Sequence, residues 1–199
     1  MKTLIINGSP KVENSGSGVL INRLKKYARD IDFDEISINF KNYKKNISKK
    51  INQYNKIILF CPLYADGLPS HLLEAIENIS KNIRNNIKIY AVINCGLIEG
   101  IHAKQGLNVI ENFSESTDNQ YMGGLGFGGC GGIKEMEDGG ILKFFDKRIN
   151  RKIKKLANSI SKNAALPNAY ASITMPRWLY RIVADISWKK EAKKKHVEI

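Results

Sequence analysis

Thr3-Leu-Ile-Ile-Asn-Gly-Ser-Pro-Lys-Val-Glu-Asn-Ser-Gly-Ser-Gly18 opens on a short apolar run, breaks into a loop dense in glycine and serine, and leads directly into an amphipathic helix pattern. Strand, small-residue loop and helix in that order build an anion site. The first N–H groups of a helix lack intrahelical partners and carry the positive end of its dipole, so a phosphate placed there gains hydrogen bonds and charge. Ser9, Asn14, Ser15 and Ser17 add side-chain donors, and Gly8, Gly16 and Gly18 let the backbone come close. The same residues also read as a plain turn at Gly8-Ser9-Pro10 followed by Ser17 as a helix cap. No Gly-x-x-x-x-Gly-Lys-Ser/Thr string is present and no Gly-x-Gly-x-x-Gly follows Ile6, which disfavours a P-loop NTPase or a dinucleotide Rossmann domain. A phosphomonoester held by hydroxyls and amides without a metal remains.

The chain has 199 residues, 43% hydrophobic and 26% charged, which suits one ordinary globular domain with an appendage. No apolar run approaches the roughly 20 residues that span a bilayer, and the start lacks the layout of a signal peptide, so a cytoplasmic location is expected. The 3 cysteines, Cys61, Cys95 and Cys130, are odd in number and far apart, which fits a reducing compartment and gives no cluster or zinc spacing. A net charge of +13 raises nucleic-acid binding as a hypothesis. Most lysines sit singly or in pairs on polar helix faces, so a solvated surface that steers an anionic cofactor or substrate is favoured over a nucleic-acid partner.

Read in order, the chain alternates strands and helices. Strands are expected at 2–7, 34–40, 56–61, 87–93 and 120–125, and helices at 19–28, 43–54, from Pro69 to about 83, 102–113 and 146–162. Runs such as Ile57-Ile-Leu-Phe60 are continuous in apolar residues, as in strands covered on both faces. Alternation of this kind argues a parallel sheet with helices on both faces, a doubly wound five-stranded sheet of order 2-1-3-4-5. In such sheets ligands gather beyond the carboxyl ends of the strands, where strand order reverses. The loops after strands one, three and four are the ones carrying Gly, Pro, Ser and Asn.

Asn7-Gly-Ser-Pro-Lys with Asn14-Ser15, then Pro62-Leu-Tyr-Ala-Asp-Gly-Leu-Pro69, then Asn94-Cys-Gly-Leu-Ile-Glu together resemble the NAD(P)H-dependent FMN reductase family, of flavodoxin-like fold. The resemblance covers about residues 2–163, with all three loops in the right order. It implies non-covalent FMN, with Ser9, Lys11, Asn14, Ser15 and Ser17 on the phosphate. It places Pro62, Leu63, Tyr64, Ala65 and Asp66 beside the ring, and Asn94, Cys95 and Gly96 at its other edge. The glycine run 126–132 resembles the family's late glycine-rich loop, bordering flavin or substrate. The compact cysteine motif of related iron–sulfur flavoproteins is missing, and the resemblance transfers no catalytic acid or base.

Several residues carry a second reading. Tyr64 stacks on the ring or packs locally in its turn; Cys95 reads as a small neutral residue rather than a nucleophile. His71 is expected at the surface and Cys130 exposed among glycines. Residues 1–166 are read as the FMN-binding domain and 167–199 as a basic, aromatic-containing helical extension. Met175 to Trp188 carries too much apolar surface for a free tail, so it is expected to pack on its own core or across a dimer rather than on a membrane. Similar tails, with Pro-Arg before aromatics, occur in some relatives. The sequence therefore leads to an FMN-dependent oxidoreductase, expected as a homodimer, passing hydride from NADPH or NADH to a flavin, quinone or other small-molecule acceptor. A flavodoxin-like electron carrier without nicotinamide activity, and a non-catalytic binding protein of the same fold, are the alternatives.

Overall fold

The computed structural model describes residues 2–11, 15–39, 47–133 and 145–194, except the side chains of 48, 49, 187, 188, 190, 191 and 194. Strand β1 (Thr3–Asn7) is buried along its whole length and is followed by helix α1 (Gly16–Tyr27). Then come β2 (Phe33–Ser37), α2 (Ile47–Ile51), β3 (Lys56–Pro62), α3 (Ser70–Ser80) and β4 (Lys88–Asn94). A 3-10 turn at Gly100–Ala103 leads into α4 (Lys104–Ser116), β5 (Gln120–Gly128) and a second 3-10 turn, Cys130–Gly132. Helix α5 (Lys147–Ser161), β6 (Ala169–Ser172) and helix α6 (Arg177–Lys194) complete the described chain. The part of the expected second helix before residue 47, and Phe40 of the expected second strand, lie outside the described residues.

All neighbouring strands are parallel, in the order β2-β1-β3-β4-β5-β6. The fold is the expected doubly wound α/β sheet with one strand more. Alternate side chains of each central strand feed opposite faces. Leu4, Ile6, Ile57, Leu59, Ile89, Ala91 and Ile93 meet α3 and α4 on one side. Ile5, Ile58, Phe60, Tyr90, Val92, Leu125 and Phe127 meet α1 and α5 on the other. Each Leu, Ile, Val or Phe among them fully withdrawn from water contributes about 1.5–3 kcal/mol before entropy is counted, and between their polar ends the three central strands are continuous apolar runs. On the second face Arg23 of α1 reaches Asp146, just ahead of α5, at 2.7 Å, and Asn150 Nδ2 donates to Asp146 at 2.8 Å.

Two features of β5 and β6 depart from expectation. Strand β5 runs on to Gly128 instead of stopping at Leu125, so Gly126 and Gly128 are strand residues and not loop. A Cβ on Gly128 would stand 2.3 Å from Ile98 O, and one on Gly126 2.7 Å from the Ala103 Cβ, so the 3-10 turn can lie on the strand only where side chains are missing. Between Ile89 and Ala91 the register slips, two residues of β5 opposing one of β4, and Gly123 there takes φ 97. Strand β6 falls in the region read as extension and pairs with β5 from Leu125↔Ala169 to Gly128↔Ser172. Among the described residues no helix is long and apolar enough to cross a membrane.

Candidate functional site

Parallel strands in level register bring the three glycine- and proline-bearing loops to one rim. Asn7 stands opposite Phe60, Pro62 opposite Asn94, and Asn94 opposite Phe127, so the chain leaves β1, β3, β4 and β5 at one end of the sheet. Backbone bonds stitch the exits together: Gly8 N donates to Phe60 O at 2.7 Å, Leu63 N to Asn94 O at 2.8 Å, and Cys95 N to Phe127 O at 2.8 Å. Gly129 N donates to Leu97 O and Cys130 N to Cys95 O, which fixes the turn after β5 against the loop after β4. Ser15, Tyr64 and Gly96 therefore belong to one rim.

The first loop gathers hydrogen-bond donors at the start of α1. Ser15 takes extended dihedrals and its hydroxyl accepts from Gly18 N at 3.0 Å, capping α1, and no acidic side chain lies in the first turn of that helix. Asn7 Oδ1 accepts from Ser9 N, and Ser9 Oγ accepts from Lys11 N at 3.3 Å. Both Ser9 and Ser15 thus use an oxygen lone pair internally, which leaves each hydroxyl proton to be donated elsewhere. Ser17 differs: buried, it donates to Asn94 Oδ1 at 2.8 Å and ties the helix start to the end of β4. Lys11 is exposed, and Asn14 lies outside the described residues. Hydroxyls and helix-start amides, with no acid in the first turn of α1, are donors that suit a phosphomonoester, so the described residues fit it.

The second loop is a tight hairpin. Tyr64 and Gly67 exchange both backbone hydrogen bonds at 2.9 Å, with Ala65 at φ 46 and Asp66 at φ 59 between them, the left-handed pair of a type I′ turn. Alanine held there costs about 1–2 kcal/mol, so the surrounding contacts over-determine the turn. It presents the Tyr64 side chain, 51% exposed, beside the rim, while Pro62 and Leu63 are buried beneath. In the third loop Asn94 and Cys95 are buried and Gly96 is exposed, with nothing within 4 Å of where its Cβ would stand. Burial pushes the Cys95 thiol up to about 11, so it is neutral and matches the small-residue reading.

Two readings need correction. Cys130 is 3% exposed and its thiol is pushed well above the ordinary range by burial, because the 3-10 turn after β5 folds back under the loop after β4. His71 is 2% exposed, since α3 packs against the first loop and brings His71 Nε2 to 3.2 Å from Gly8 O. Both misreadings share a cause: polar or reactive residue types at segment ends look solvent-facing until tertiary contacts are known.

His102, Arg177 and Tyr180 join the rim without any signal in sequence spacing. His102 Nδ1 is 3.6 Å from Asp66 Oδ1 and its Nε2 is 3.9 Å from Glu99 Oε2. Arg177 of α6 donates to Glu99, and the Tyr180 hydroxyl donates to the Gly96 carbonyl. Among the described residues no group of three or more His, Cys, Asp and Glu is placed to hold a metal ion.

No protein-family model matches the sequence, and no curated protein matches it. Solved structures do match in shape. A flavodoxin from Streptococcus pneumonia TIGR4 superposes with TM-score 0.61 at 10% identity, covering 82% of this chain and 100% of that one. An NADPH-quinone reductase from P. pentosaceus gives 0.57 at 14% identity, covering 83% and 100%. An FMN-dependent NADH-azoreductase from Bacillus anthracis str. Ames Ancestor, in complex with FMN, gives 0.55 at 16% identity, covering 81% and 100%. The chain is similar to these in fold, and its architecture is flavodoxin-like.

Proposed function

We propose that the chain is an FMN-dependent oxidoreductase that takes hydride from NADPH or NADH and passes it to a flavin, quinone or other small acceptor in alternating half-reactions. The convergence of three loops at one rim, with a serine-lined helix start at one side and an open glycine backbone at the other, carries this reading. Bound FMN would supply the redox chemistry. The residues have simpler tasks. Ser9, Ser15 and the start of α1, with Lys11 and Asn14 from the same loop, hold the phosphate. Pro62, Leu63, Tyr64, Ala65 and Asp66 border one edge of the ring, and Asn94, Cys95 and Gly96 border the other. Ser17 acts one step removed, by fixing Asn94.

The net charge of +13 would draw in a phosphorylated nicotinamide co-substrate. Three free cysteines suit work in the reducing cytoplasm. We place the active unit as a homodimer, because Tyr64, Leu97 and Ile101 leave apolar surface exposed around the rim.

Purified chain supplied with FMN is expected to show bound-flavin absorbance that bleaches without oxygen on addition of NADPH or NADH. Absorbance that never bleaches favours the electron carrier, a reading encouraged by the fold likeness to a flavodoxin. A chain that takes up no FMN rules out both.

A further inference from the structure

Helix α6 is more than an appendage to the sheet. Its inward side, Leu179, Tyr180 and Val183, packs against the core cluster that contains α1 and α5. From there its first turn reaches the loop after β4 at two points. Arg177 pairs with the Glu99 carboxylate, and the Tyr180 hydroxyl donates to the carbonyl of Gly96. Just upstream, Ser172 Oγ accepts from Gly100 N at 3.0 Å, so three successive contacts hold residues 96–100. The Tyr180 oxygen also stands 3.7 Å from where a Cβ on Gly131 would lie, between the two glycine-bearing turns.

The contacts extend to the second loop. Glu99, held by Arg177, faces His102 at 3.9 Å, and His102 faces Asp66 at 3.6 Å. The chain of side chains Arg177, Glu99, His102, Asp66 thus runs from the C-terminal helix across to the hairpin that carries Tyr64. Gly96 has no side chain to fix its own backbone, and glycine is the residue with the most conformational freedom to lose. A hydrogen bond on its carbonyl from an anchored phenol removes that freedom before any ligand arrives.

We propose that α6 is a clamp on the cofactor rim, with Tyr180 the positioning residue that holds the Gly96 carbonyl and Arg177 the residue that anchors the loop through Glu99. The proposal rests on the FMN reading above. Coupling between two sites is reciprocal, so if a docked α6 tightens FMN binding, bound FMN must hold α6 in place by the same factor.

The test uses the full chain. Tyr180→Phe keeps the ring and its packing and removes only an exposed donor, so the urea midpoint should fall only slightly and the fold should persist. The FMN dissociation constant, read from quenching of flavin fluorescence, should rise about five- to tenfold, the cost of ordering the freed Gly96 backbone on binding. Arg177→Gln, an exposed position that does not threaten folding, should weaken FMN in the same direction. Trypsin supplies a readout independent of affinity, since Arg181 and Lys189 are exposed on α6 and a helix is cut only when it opens. FMN should slow cutting at both sites several-fold in the unaltered chain and less in Tyr180→Phe. Unaltered FMN affinity in both variants, with trypsin cutting indifferent to FMN, overturns the clamp while leaving the FMN reading intact. Failure of the unaltered chain to bind FMN overturns both.

Discussion

Ser17 Oγ donates to Asn94 Oδ1 at 2.8 Å, joining the first turn of α1 to the last residue of β4 across 77 positions of sequence. Both side chains are buried, so the bond holds the start of α1, the proposed phosphate side, at a fixed distance from the loop after β4, the proposed ring side. Ser17→Ala leaves a buried amide oxygen without its donor and is expected to cost about 1–3 kcal/mol, seen as a lower urea midpoint, and to weaken FMN. Wild-type stability and affinity in that variant would show the tie to be idle.

Gly96 separates ligand effects from folding effects. A Cβ there meets no atom within 4 Å, so Gly96→Ala should unfold within about 0.5 kcal/mol of the unaltered chain. The same methyl group would stand at the proposed ring edge, and FMN affinity should fall about tenfold or more. Equal affinity in a stable Gly96→Ala variant would remove the third loop from the site.

The two strand features missed in sequence both depend on tertiary contacts, each for its own reason. Continuous apolar runs announced β1, β3 and β4 because central parallel strands are buried on both faces. Strand β5 was cut short because glycine is a poor strand former in isolation; only the 3-10 turn lying on Gly126 and Gly128 makes their bareness an asset. Ala169-Tyr-Ala-Ser172 is too short to show any period, and its pairing with β5 is a tertiary fact. At the rim, the loops could be read from their Gly, Pro and Ser content. Arg177 and Tyr180 could not, because nothing along the chain links a C-terminal helix to residues 96–99.

Arg23 and Asp146 form a buried pair with side chains 7% and 2% exposed. Arg23→Ala would strand a carboxylate between α1 and α5, at an expected cost of about 3–5 kcal/mol by urea denaturation. Replacing both partners, as in Arg23→Met with Asp146→Leu, should cost less than the single change. A double variant as damaged as Arg23→Ala would contradict this account.

Stability should also fall in alkali. Burial pushes the Cys61 thiol up to about 12 and the Cys95 thiol up to about 11, against an ordinary value of 9.0. Above about pH 9 the unfolded chain gives up these protons while the native one retains them. The contribution is therefore full below that pH and is lost as pH rises toward the folded values, by about 1.4 kcal/mol per pH unit for each thiol. Urea midpoints taken between about pH 8 and about pH 10.5 should decline less steeply in Cys61→Ala than in the unaltered chain. Parallel declines would mean that Cys61 does not contribute.

Strand β6 runs parallel to β5, so it delivers the chain to the end of the sheet where the three rim loops emerge. An antiparallel strand in the same place would have released the tail at the far end, out of reach of Gly96 and Glu99. Whatever sequence follows Ser172 is thereby routed to that rim by topology alone. Evolution can then lengthen, recharge or exchange the terminal helix and so alter that rim from outside, with the central strands left untouched.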